Sequence, residues 1–546
     1  MLEKEHLILC GGIDGSKRRS TPEPIALKLG KEKGKGQICM DVDAITRKMV
    51  ADLPAVLRDL LEVATYVYVA DQSISRGGRR SFEYGYDHHR CLRFRIPVRE
   101  YDLWSDPENR ELLEETLSFA SGDTYTFEFS RRRPDDFPGF LNLSAETEPE
   151  HQYNEIVLFS GGLDSFTGAI DEVVGYERLP VLVGHQSNNK LTGLQGKLHE
   201  YLVELRRPQL GPLHVPVRIN KDKRLTKETS QRTRSFLYAA LGTIVARMFN
   251  LNRVKFYENG IVSCNLPFDG QTMQARSTRS THPRLLHLLS ELVSILIDSD
   301  FQFENPYFNK SKTEVCLRLK DLHHEELIRV TRSCARSIYR SPATHCGTCS
   351  QCIDRRFATL AAECGEHDPD FLYALDIFKD CIDNTHDRTM AVGFVRFATD
   401  VGDMTPENFV RKFSSEAHEI ARYLPGTENA DMALKSLFLL HQRHSESVTK
   451  VMAQQIEKNS LPLVKATLPA TCLIRMVGAG LHLTTGQKRK RSGAGKKHGK
   501  GRLNEKVDRL LTLHPEWTAV EIAHDIGATT AGAVRKTNAW KQRPRQ

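Results

Sequence analysis

No apolar run in this 546-residue chain approaches the roughly 20 residues that a bilayer-spanning helix needs, so membrane insertion is not expected. The first residues, MLEKEHLILCGG, lack a basic stretch followed by a long apolar core, and the chain is read as cytoplasmic. Twelve cysteines over this length are too sparse for a disulfide framework. With 40% hydrophobic and 27% charged residues, the composition excludes a disordered or fibrous chain. A GxxxxGK[ST] loop is missing too, which sets aside the lysine-containing phosphate loop of kinases and motor ATPases. No internal repeat is evident. LCGGIDGS at 9–16 echoes LFSGGLDS at 158–165, but KRRSTPEP follows the first where a helix should, so the echo is expected to be chance.

The net charge of +8 belongs to the C-terminal tail. Residues 487–546 carry 15 Lys and Arg against 5 Asp and Glu, a net of +10, which leaves the other 486 residues at 8 minus 10, or −2. By length, three or four domains are expected, at roughly 100 to 200 residues each. Residues 1–150 mix a helix-period stretch, Leu53 to Tyr68, with strand-period stretches such as Leu92, Phe94, Ile96, Val98. LSFAS and TYTFEF around Gly122-Asp123 read as a hairpin, making this an α+β domain. Arg131 to Pro138 and the acidic segment after it read as a linker. Residues 151–365 alternate apolar strands with helices, the pattern of an α/β domain with a parallel sheet covered on both faces. Residues 366–486 are helix-period without strong chemistry. The segment 487–546 is a basic linker followed by a short helical module.

Two clusters carry chemistry. The first is a strand ending in Leu158 and Phe159, the small-residue loop Ser160-Gly161-Gly162-Leu163-Asp164-Ser165, and a helix continuing through Phe166. Strand, glycine loop and helix N-terminus present unpaired N–H groups and the positive helix end, where a polyphosphate such as that of ATP binds. The two glycines let the backbone approach the phosphates, and Asp164 can hold Mg²⁺ or fix the loop. The second cluster is Cys334, Cys346, Cys349 and Cys352, with spacing C-x₁₁-C-x₂-C-x₂-C. Two interleaved CxxC pairs and a fourth thiolate suit a tetrahedral, structural Zn²⁺ site. An iron–sulfur cluster is the main alternative, and His345 competes as a fourth ligand.

SGGLDS resembles the PP-loop of the ATP pyrophosphatase superfamily, which cleaves ATP between the α and β phosphates. With SC…HCGTCSQCIDRR following in this order, residues 154–365 resemble the QueC (7-cyano-7-deazaguanine synthase) family. Arg234-Ser235-Phe236 resembles that family's Arg-Asn-x-Phe segment, and Asn305-Pro306…Lys312-Thr313-Glu314 its Pro…Lys-x-Glu segment. Ser235 in place of Asn, and NGIVSCNLPFDG at 259–270, depart from the pattern and put the acceptor in question. LLEVATYVYVADQSISRGG in the N-terminal region is similar to QueC-like components of the Qat anti-phage system.

The resemblance implies an adenine nucleotide alpha hydrolase-like fold using ATP, Mg²⁺ and Zn²⁺. It also implies adenylation of a 7-deazaguanine-type carboxylate and displacement of AMP by an amine. Asp164, Lys312 and Arg234 are the expected catalytic residues, the two cations offsetting charge at the α-phosphate. The amine is expected on a partner protein of a defence system, with plain nitrile synthesis from ammonia as the alternative. A reading of another class is a nucleic-acid-binding scaffold with a vestigial ATPase fold. For it the tail is the best case, since TAVEIAHDIG and TTAGAVRKTNAWK resemble a helix-turn-helix with Arg535, Lys536 and Lys541 on the second helix, suited to DNA or RNA.

Overall fold

The apolar segments of the sequence assemble into one ten-stranded sheet. The computed structural model describes residues 5–13, 23–30, 37–42, 53–76, 89–132, 152–186, 189–228, 230–267, 279–336, 344–424, 426 and 429–478. The strands are β1 (Glu5–Cys10), β2 (Ile25–Leu29), β3 (Gln37–Val42), β4 (Cys91–Val98), β5 (Thr124–Arg131), β6 (Glu155–Leu158), β7 (Pro180–His185), β8 (Leu213–Lys221), β9 (Arg253–Lys255) and β10 (Gln302–Glu304). They lie in the order β10-β9-β6-β7-β8-β3-β2-β1-β4-β5. Every neighbouring pair is parallel except β3 and β8, which run antiparallel with Ile38 opposite Lys221.

That seam divides the sheet into two halves of one topology. Reading outward, the first half is β3-β2-β1-β4-β5 and the second β8-β7-β6-β9-β10. In the first half α1 (Ala55–Ser73) crosses from β3 to β4 and α2 (Pro107–Ser121) from β4 to β5. In the second, α3 (Leu163–Ile170) and α4 (Asn189–Arg206) follow β6 and β7, then α5 (Arg234–Met248) crosses to β9 and α6 (Pro283–Ile297) to β10. The equivalent helices pack together across the seam, α1 on α5 and α2 on α6. The glycine pairs Gly11-Gly12 and Gly161-Gly162 follow the equivalent central strands β1 and β6, so the echo expected to be chance falls at matching places in a repeated topology. Residues 14–16 of the echo lie outside the described residues.

The two sheet faces differ. Ile8, Leu27, Phe94 and Phe127 join Leu158, Val183, Val217 and the inner faces of α1, α2, α5 and α6 in one core spanning both halves. On the opposite face Val157 and Leu182 pack with α3, α4 and α7 (Lys312–Asp321) behind the second half. Behind the first half no helix lies among the described residues. There Arg93 and Arg95, both half-exposed, pair with Glu128 across β4 and β5.

The expected hairpin at LSFAS is absent. Those residues are the last turns of α2, whose start is fixed by Asp106 accepting from the N–H groups of Glu108 and Asn109, with Pro107 as first residue. Gly122 ends the helix at φ 74°, its N–H donating to Ser118 O. Leu113, Leu117 and Ala120 are buried at helix period. Because β4 and β5 are parallel neighbours joined by this helix, the N-terminal region is α/β, and the α+β expectation is corrected.

The expected helical region follows α8 (Ser350–Ala361) and includes α9 (Thr385–Gly402), α10 (Pro406–Lys412), α11 (Ser414–Tyr423) and α12 (Ala430–Lys458), with two short helices, Ser460–Val464 and Leu473–Gly478, after them. It packs on Ile353 and Phe357 of α8 and on Cys264, Leu266 and Phe308 of the second half. By compactness the chain forms two units, Met1–Leu481 and His482–Gln546. The basic linker, the helix-turn-helix-like segment and most of the linker from Arg131 lie outside the described residues. No helix among the described residues is long and apolar enough to cross a membrane.

Candidate functional site

The glycine loop sits where the α/β architecture places ligands, at the carboxyl ends of strands where connections diverge to both sides. All four residues of β6 are buried, and the backbone then turns through Gly161 at φ 81°, a conformation that favours glycine. Gly162 is the N-cap of α3. Ser160 Oγ lies 2.9 Å from Ser165 Oγ and accepts from the Gly162 N–H at 3.2 Å, so the two hydroxyls close the loop on itself. Gln195 of α4 donates to Phe159 O at 3.0 Å, and the Arg332 N–H to Gly161 O at 3.2 Å. Of the nine residues expected to bind the nucleotide, Leu158, Phe159, Leu163 and Phe166 turn their side chains into the two cores. Their part in the loop is a backbone one.

Asp164, in the first turn of α3, meets residues from two distant segments. Its Oδ2 accepts from Lys312 Nζ at 3.1 Å and from Asn259 Nδ2 at 3.0 Å, while its buried Oδ1 has no partner. Lys312 opens α7, where a capping box between Ser311 and Glu314 fixes the turn. A second carboxylate, Asp354 of α8, stands 3.6 Å from Lys312 Nζ. Burial opposes the Lys312 ammonium, yet the charges of Asp164 and Asp354 hold its pKa above the ordinary lysine range. Burial pushes Asp354 up to about 6, with Lys312 opposing the shift. Glu258, which accepts from Thr281 Oγ1 at 2.6 Å, is also raised by burial and feels Asp164, Lys312 and Arg234.

Of the expected catalytic residues, the fold therefore brings Lys312 directly to Asp164. Arg234, first residue of α5, instead bonds Tyr238 Oη at 3.1 Å, and its charge, like that of Lys312, is felt by Glu258. Three residues of the cluster were not anticipated from sequence: the partly buried Glu258 and the buried Asn259 and Asp354. A signal existed for Asp354, two residues past the last cysteine in CIDRR. Asn259 opens the segment whose departure from the family pattern hid it.

The four cysteines converge, all their sulfurs lying within 4.8 Å of one another. Cys346 Sγ is 3.8 Å from Cys352 Sγ, and Cys349 Sγ is 4.0 Å from Cys334 Sγ. Four sulfurs about 2.3 Å from one tetrahedral ion stand about 3.8 Å apart, so the set fits a single metal ion such as zinc. The turn needs Gly347, at φ 86°, where a Cβ would meet Leu375 O at 2.0 Å. His345 is outside the sulfur set; its Nε2 accepts from the Ser333 N–H at 3.4 Å and its ring stacks on Tyr373. Arg355 is buried and bonds Asp368, Thr331 and Ile328 O, tying the cluster to the strand-following segments. Arg356 bonds Asp368 O and Asp370. Both anchor the metal loop.

The fold and site thus define an α/β protein with a mostly parallel sheet, a glycine loop on its central strand and a four-cysteine cluster able to hold a metal ion. Compared with protein-family models and with curated proteins, the chain finds no match.

Proposed function

We propose that this chain is a QueC-like PP-loop enzyme, of the kind found in the Qat anti-phage system, that spends ATP to adenylate a 7-deazaguanine-type carboxylate and passes it to an amine on a partner protein. The observation that carries this reading is the Asp164–Lys312 pair, closed 148 residues apart in sequence at the mouth of the glycine loop. A carboxylate resists nucleophilic attack because its charge is delocalised; the mixed anhydride with AMP carries a good leaving group. The task left to the protein is orientation and charge compensation. Backbone N–H groups of the loop and the start of α3 would receive the phosphates. Lys312 would offset negative charge at the α-phosphate, and the unpartnered Oδ1 of Asp164 suits a Mg²⁺ ion shared with the nucleotide. Zinc, held by Cys334, Cys346, Cys349 and Cys352, would supply a structural cross-link with no open position.

The test is direct. Full-length protein incubated with ATP, Mg²⁺ and 7-carboxy-7-deazaguanine is expected to release AMP and pyrophosphate. Asp164→Ala is expected to stay folded and lose about 10²-fold or more of that rate. Release of ADP and phosphate instead would overturn the adenylation reading. Mass spectrometry of the same mixture with co-expressed proteins separates a protein conjugate from the free nitrile.

A further inference from the structure

The seam between the two halves gathers polar side chains that neither the glycine loop nor the cysteine cluster uses. His185 ends β7, two residues beyond Val183, whose carbonyl accepts from Phe159 N–H at 2.8 Å, so it stands one strand from the glycine loop. It is 0% exposed, and neither ring nitrogen has a partner. Its ring is met edge-on by Tyr68 of α1 at 5.1 Å and Tyr238 of α5 at 6.1 Å. Ser235 Oγ and Arg234 Nε, both buried in the first turn of α5, are also without partners. From α1, Gln72 bonds Lys221 at the end of β8, and Tyr68 donates to Gln231 Oε1 at 3.3 Å.

Unpaired buried donors and acceptors cost folding free energy, and an apolar seam would pack without that cost. Three such residues in one place point to a ligand that completes them. The chemistry on offer is selective. Burial drives His185 down to about 3, so it presents a neutral imidazole with one donor and one acceptor nitrogen. Tyrosine rings suit a flat ligand, and a guanidinium suits a carboxylate.

We propose that the seam is the acceptor-binding site, taking a planar heterocyclic acid of the deazapurine class whose ring edge bonds His185 and Ser235 and whose carboxylate faces Arg234. This rests on the adenylation reading for the direction of chemistry, because Glu258 feels both Arg234 and the Asp164–Lys312 pair. It also gives the first half of the sheet a task. Through the Tyr68 ring of α1, that half supplies an acceptor-selecting wall to a loop it does not itself carry.

The test is calorimetric binding to full-length protein, with 7-carboxy-7-deazaguanine and, separately, α,β-methylene ATP as probes. His185→Phe keeps ring volume and removes two unpaired nitrogens, so it is expected to be at least as thermally stable as the parent yet bind the acid at least ~10-fold more weakly. Ser235→Ala, which removes the other unpartnered hydrogen-bonding group, is expected to weaken the acid similarly, and neither variant to change nucleotide affinity. Unchanged acid affinity in both variants would overturn the seam site while leaving adenylation standing. Failure of the parent protein to bind the acid would overturn both readings. Acid binding lost in the variants of a protein that makes no AMP would sink adenylation alone and support the seam.

Discussion

At the scale of single residues, the site is a contest between burial and pairing. Lys312 keeps its charge because two carboxylates face it, but Asp354 is the weaker partner at 3.6 Å and yields to desolvation. Its folded pKa, about 6, lies above the ordinary aspartate value of about 4. The stability it lends is therefore fully present below about pH 4 and is lost as pH rises through 6, where the folded chain must keep a buried carboxylate that the unfolded chain solvates. Asp354→Asn is expected to raise the melting temperature at pH 8 by an amount equivalent to about 2 to 3 kcal/mol, with the gap closing near pH 4. A gap of the same size at both pH values would mean that Asp354 titration does not produce it.

At the scale of elements, two devices hold the site from outside it. The cysteine cluster crosslinks the segment after Thr331 to the start of α8, the helix that carries Asp354. Purified protein is expected to hold about one zinc per chain and to be colourless, since a d¹⁰ ion has no visible d–d bands. Cys349→Ser should cost solubility as well as AMP formation, because metal-binding energy is folding energy; a brown preparation with iron and labile sulfide would refute zinc. The second device is Asp71 of α1, which accepts from Thr233 N–H at 3.2 Å at the start of α5 and pairs with Arg76 and Arg90. Burial works against its ionised form, but Arg90 and Arg76 hold its pKa below the usual carboxylate range. Asp71→Ala leaves both guanidiniums to Asp123 and strips the Thr233 N–H and hydroxyl of their acceptor, and should cost about 3 to 5 kcal/mol in urea unfolding. A loss under 1 kcal/mol would show that Asp123 alone suffices.

At the scale of the whole molecule, the sheet, its helices and the α9–α12 bundle belong to one unit, while the +10 charge lies in the other. Deleting Gln487 to Gln546 is therefore expected to leave AMP formation unchanged and to remove affinity for DNA or RNA, an affinity that in the full chain should fall steeply with salt. Gel-shift titrations beside the AMP assay check it. Loss of ATP turnover with unchanged nucleic-acid binding would mean that the tail serves the catalytic unit instead.

The local chemistry was legible in the sequence. SGGLDS after a buried strand, and three cysteines within Cys346–Cys352, are spacings that the covalent chain itself enforces, and the structure places each where those spacings imply. The apolar runs of residues 154–297 were legible as strands and helices for the same reason. LSFAS was not, because a short apolar stretch satisfies both periods until a cap decides, and Asp106 and Gly122 decide for helix. Only the tertiary structure could bring Asp164 to Lys312, Asn259 and Asp354, since parallel strand order is set by crossovers and core packing far along the chain. It alone revealed that the strands described within the first 131 residues repeat the order of the next five, because strand order is set by crossovers and core packing that no local spacing records.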